Sequence, residues 1–240
     1  MKRLIGGLGM VLMLVVISVG QSAEAPAKKT AKEALQAFND LIGSWRGTGM
    51  PEGTKAEKTK GAWQETVAWE WQFQGDPALK ATYEKSKYFT EGRLRYLADK
   101  DAYQFEVQTV DKEKLVFEGT LKEHVLTLER EDEGKKEAQR LTFNLLHDNR
   151  YLCSYEVKAA GKTTFAKVYQ VGDTKEGVPF ATGSGGTGPE CIVSGGQGTT
   201  KVMYKGQTYY VCCSGCRDAF NENPEKYIKE AEQKKAKAGK

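Results

Sequence analysis

Between Ser44 and Val171 side-chain character alternates with a period of two, and this constrains the fold more than any other feature of the chain. The clearest stretch runs from Trp63 to Phe73. Trp63, Glu65, Val67, Trp69, Trp71 and Phe73 share one face, and Gln64, Thr66, Glu70 and Gln72 take the other. The same alternation returns at Tyr103, Phe105 and Val107, at Leu141, Phe143 and Leu145, at Tyr151, Cys153, Tyr155 and Val157, and at Phe165, Tyr169 and Val171. About ten strands are predicted. Short turn signals separate them, among them Asp99-Lys100-Asp101, His147-Asp148-Asn149 and Ala160-Gly161-Lys162. No helical pattern is read between them.

Sequential strands joined by tight turns make an antiparallel meander. About ten strands with one apolar face each would leave an open sheet with exposed edges, and closure into a barrel removes those edges. The predicted fold class is therefore mainly β, an antiparallel up-and-down β-barrel, with a two-sheet sandwich as the rival. A short helix precedes it. Thr30 and Glu33 form a capping box, and Ala34, Leu35, Phe38, Leu41 and Ile42 follow at helical spacing for about three turns, up to Gly43. The run Leu41-Ile42-Gly43-Ser44-Trp45-Arg46-Gly47-Thr48-Gly49 then resembles the opening of lipocalin-like and nitrobindin-like barrels. That resemblance implies that Trp45 closes one end of the barrel. Nitrobindin-like proteins bind haem through a histidine near the end of the barrel. Here the two histidines, His124 and His147, read as surface or turn residues, so haem binding is not carried over. Trp63, Trp69 and Trp71 read as core filling, with a ligand pocket for a hydrophobic small molecule as the alternative. Glu65, if inward, needs a partner such as Arg93, Arg95 or water.

The flanks differ from the meander. Met1-Lys2-Arg3 followed by the apolar run Leu4 to Val19 and small residues at Ser22, Ala23 and Ala25 has the layout of a signal peptide over residues 1–25. Cleavage after Ala23, Ala25 or Ala27 stays open, and an uncleaved anchor is the rival reading. No cysteine lies near the cut, which argues against a lipid anchor. Export to the periplasm or the medium follows as an expectation, with no membrane association after signal cleavage. The barrel is expected over 30–171 and a glycine-rich linker over 172–188. A small module follows over 189–232, and a lysine-rich tail over 233–240 closes the chain. The net charge is +4, and the body is close to neutral once the signal and tail are set aside, so nothing points to a nucleic-acid surface.

Four of the five cysteines, Cys191, Cys212, Cys213 and Cys216, lie near the C-terminus. Lys201 to Tyr204 and Gln207 to Cys212 read as a hairpin about a Lys205-Gly206 turn. Cys213-Ser214-Gly215-Cys216 opens a helix, and Asn223-Pro224-Glu225 caps a second one. Cys191, the hairpin Tyr204 to Tyr210, Cys212 and Cys216, Phe220, and Asn223-Pro224-Glu225-Lys226-Tyr227 together resemble a YHS or TRASH domain. The resemblance implies binding of a soft metal ion, with Cys191, Cys212 and Cys216 as ligands and Cys213 as an extra thiol beside them. The fourth ligand is open. The chemistry agrees with the resemblance. The ligands come from a loop, a strand end and the first turn of a helix, in a treble-clef-like α+β arrangement. A helix N-terminus also lowers a thiol's pKa. Three thiolates suit Cu(I); three with Cys213 or water suit tetrahedral Zn(II). A segment of this size cannot bury much core and needs a metal or disulfide staple.

Three rivals remain: a thioredoxin-like Cys213-x-x-Cys216 redox pair, a structural disulfide such as Cys191 with Cys212 or Cys216, and a purely structural metal in an interaction module. Cys153 reads as a buried core thiol. No catalytic constellation is visible, so the expected function is non-enzymatic: an exported protein that binds copper, zinc or another soft cation. The alternative is a barrel carrier of a hydrophobic small molecule with the cysteine unit as a cap. The sequence names no protein partner.

Overall fold

The computed structural model describes residues 28–147, 149–177 and 188–238. The predicted signal peptide and most of the glycine-rich stretch lie outside the described residues.

Ten strands form one closed antiparallel barrel: β1 (Gly43–Pro51), β2 (Trp63–Gln72), β3 (Ala78–Glu84), β4 (Phe89–Leu97), β5 (Ala102–Thr109), β6 (Lys114–Lys122), β7 (Val125–Asp132), β8 (Glu137–His147), β9 (Arg150–Lys158) and β10 (Ala166–Lys175). Every strand pairs with its sequence neighbours, and β1 closes the ring on β10, with Gly47 opposite Asp173. The same Gly47 pairs with Glu65 of β2 on its other side. The inward face carries much of the apolar set that the alternation marked, joined by Leu94, Phe117 and Leu128. Trp45, Val67, Trp69, Trp71, Leu94, Phe105, Val107, Phe117, Leu128, Leu141 and Phe143 are all buried. Trp69 stacks on Phe105, and Phe143 meets both rings edge-on. A lumen filled by such rings is a core rather than a channel.

The capping box at Thr30 forms in both directions, but only Ala31–Leu35 (α1) is α-helical; Gln36–Leu41 tightens into a 3₁₀ segment. The buried ring of Trp45 donates from Nε1 to the Leu41 carbonyl at 2.7 Å, so this segment and Trp45 close one end of the barrel.

Other readings need correction as well. The meander is interrupted: α2 (Lys55–Gly61) lies between β1 and β2, opened by a second capping box, Thr54 with Glu57. Glu65 does point inward, but its partners are the Trp63 indole N–H at 2.7 Å and the Ser86 hydroxyl at 2.8 Å. Arg93 and Arg95 turn instead to Gln72 and Gln104. Finally, β10 extends to Lys175, four residues into the stretch read as linker. Strand pairing with β1 and β9 overrides the polar local composition there.

His124 and His147 are exposed. Phe165 lies just before β10, and the bulge between Lys167 and Tyr169 takes it out of the inward series. Its ring stacks under the Arg140 guanidinium instead, at 3.6 Å.

The C-terminal part contains a hairpin, β11 (Thr200–Tyr204) and β12 (Gln207–Val211), then α3 (Ser214–Glu222) and α4 (Pro224–Ala238). Lys205 and Gly206 both take positive φ, as a two-residue hairpin turn requires. Asn223 caps α4 through its side chain to the Lys226 N–H at 3.2 Å.

Candidate metal centre

The first cysteine is held by a tight turn. The Cys191 N–H donates to the Gly196 carbonyl and the Gly195 N–H returns to the Cys191 carbonyl. Gly195 takes φ +78°, which a side chain would oppose. The Ile192 N–H bonds the Tyr210 carbonyl, tying this turn to β12. Cys212 follows the end of β12. Cys213 is the N-cap residue of α3, and Cys216 lies in its first turn. Phe220, Val211, Val202 and Tyr227 pack beneath, continuous with the apolar cluster of the barrel.

Loop, hairpin and helix together bring the Sγ atoms of Cys191, Cys212 and Cys216 within 4.8 Å of one another. Cys212 and Cys216 are 3.4 Å apart at sulfur, too far for the ~2.05 Å of a disulfide bond. An ion bonded to each sulfur at ~2.3 Å spaces them by roughly 3.8–4.0 Å, so the three need little movement to grip one. Cys191 and Cys216 are buried and Cys212 is half-buried. All five cysteines are free thiols. Cys213 lies beside the trio, its sulfur 3.9 Å from that of Cys212.

The sulfurs share protons. Hydrogen bonds from Cys212 and Cys216, with help from Ser194, push the Cys191 thiol far down. The same two cysteines and the Trp71 N–H push Cys213 down. Cys212 and Cys216 are pushed up in return, first by their bonds to Cys191. A cluster that already stabilises thiolate among crowded sulfurs is prepared to exchange its remaining protons for a cation.

The barrel supplies the floor of this centre, which sequence reasoning missed. The Trp71 backbone N–H donates to Cys213 Sγ at 3.3 Å, and the Ser214 hydroxyl donates to Glu70 at 2.8 Å. The Trp71 indole N–H reaches Asn39, and Asn39 and Gln36 both donate to the Ser194 carbonyl. Gly215 lies so close to the Trp71 carbonyl that a Cβ there would overlap it. The contacts of Cys213 and Ser214 with β2 join residues more than 140 positions apart, and no local pattern announces them.

A loop, a hairpin and a helix that focus cysteines on one point define a small metal-binding module. The YHS domain family model matches residues 196–231, so this part of the chain is a YHS domain. The match includes Cys212, Cys213 and Cys216 and begins after Cys191. No curated protein matches the chain.

Proposed function

We propose that this is an exported, non-enzymatic metal-handling protein that holds one soft cation, Cu(I) or Zn(II), through Cys191, Cys212 and Cys216, with Cys213 as a fourth or exchangeable thiolate. The convergence of three sulfurs in a YHS domain carries this reading. Their softness selects copper or zinc over magnesium or calcium. The pattern of residues 1–25 supports export, and the packed lumen supports a scaffold role for the barrel rather than carriage of hydrophobic cargo.

The test is metal analysis of the full chain, purified anaerobically under reduction and loaded with Cu(I) or Zn(II). One ion per chain is expected, lost in Cys212→Ser and in Cys216→Ser. Full thiol titration with no metal uptake by the unaltered protein would refute the proposal.

A further inference from the structure

Away from the cysteines, the barrel buries two carboxyl groups side by side. Asp173 on β10 is 1% exposed and Glu65 on β2 is 6% exposed, and they flank Gly47 of β1 from its two sides. A Cβ at Gly47 would lie 2.6 Å from Asp173 Oδ1, so the glycine keeps the ground between them open. Asp173 Oδ1 is fully buried and has no hydrogen-bond partner. Asp173 lines a small, partly open space together with Glu65, Tyr83, Ser86, Tyr151 and Cys153, and this space admits about one water molecule. Both donors to Glu65 meet its Oε2, so its Oε1 is left unengaged by them. Trp63, Tyr88 and Tyr169 pack together over this end, with Tyr88 and Tyr169 stacked at 4.2 Å.

Buried carboxylates need a compensating charge or a proton. Among the described residues neither Glu65 nor Asp173 is in an ion pair. Lys87, near the mouth, stacks over the Trp63 and Tyr88 rings. The remaining oxygens lining the space are the hydroxyls of Ser86, Tyr83, Tyr88, Tyr151 and Tyr169, and Cys153 is the one sulfur among the lining side chains.

We propose that the barrel interior is a second cation site, in which Asp173, Glu65 and the Ser86 hydroxyl hold one hard divalent cation of the Ca2+ class. The donors are oxygens, and two carboxylates match a 2+ charge. Mg2+ keeps several waters and demands a regular octahedron, whereas Ca2+ accepts irregular oxygen cages. A space that admits about one water therefore favours Ca2+. The site is independent of the cysteine centre, because thiolates disfavour Ca2+.

The test uses the full chain, unfolded in urea and refolded in CaCl2, MgCl2 or choline chloride at equal ionic strength. The expected result is one Ca2+ per chain and a higher Tm in CaCl2 than in the other two salts. Asp173→Asn abolishes both effects, and Ser86→Ala weakens Ca2+ affinity roughly tenfold. Equal Tm in all three salts would overturn the site and leave Asp173 neutralised by a proton. Ca2+ retained undiminished in Asp173→Asn would overturn it too, placing the ion on the surface. Should Asp173→Asn not fold, undiminished Ca2+ binding by Ser86→Ala and by Glu65→Gln would do the same.

Discussion

Asp173 and the cysteine cluster are both buried ionisable sites, yet they respond to pH in opposite senses. Burial, and then the nearby charge of Glu65, push the Asp173 carboxyl up to about 8. Tyr83, Tyr151 and Cys153, its other titratable neighbours, are all pushed up and stay neutral. In the cation-free protein the folded state therefore keeps a proton that the unfolded chain releases near 4. The contribution of Asp173 is full below that point and is lost as pH rises towards 8, at about 1.4 kcal/mol per pH unit. Asp173→Asn should flatten that part of the pH profile and raise stability at pH 8, as read by urea unfolding in the absence of divalent ions. The cysteines work the other way, since metal binding requires thiolate and acidification should release the ion. Cys213→Ser should leave a three-sulfur Cu(I) site nearly intact while weakening Zn(II) binding by about an order of magnitude or more, if Cys213 completes the tetrahedron. Competition titrations with both metals separate these outcomes.

Among the elements, α3 depends on the barrel as much as on its own sequence. Its N-terminal turn rests on the end of β2 through Cys213, Ser214 and Gly215. Gly215→Ala should push α3 off Trp71, costing roughly 1–3 kcal/mol. Faster alkylation of Cys213 and earlier proteolysis of the C-terminal part would report it. The helices also show where local reading worked and where it did not. Thr30 with Glu33 and Thr54 with Glu57 are the same capping signature. The first stands before an apolar run and was legible. The second opens α2, which buries no residue and so has no apolar stripe to read. Thr54→Ala should remove that cap at a cost of about 1 kcal/mol. Because α2 buries nothing, the loss should be confined to local hydrogen exchange, with little change in Tm.

For the whole molecule, one apolar cluster runs from the barrel into the metal module, but only the module's hairpin and helices hang on the cysteine centre. Chelation of the metal should therefore loosen the hairpin, α3 and α4 while the β-barrel persists. Hydrogen exchange would locate that loosening, and an unchanged far-UV β signal would confirm the barrel. The ten-strand meander was legible because alternation is a local property, set by each strand having one face to core and one to water. The YHS hairpin, its helix caps and the cysteine spacing were legible for the same reason. The inward turn of Asp173 from a stretch that reads as linker and the Trp71 floor beneath Cys213 were not. Each joins residues far apart in the chain, and their meeting depends on the register and curvature of the closed sheet. The sequence by itself determined the strands, their faces and the thiols available to a metal. Only the tertiary structure decided which oxygens converge inside the barrel and what lies beneath the sulfurs, because convergence is a property of packed distance rather than of order along the chain.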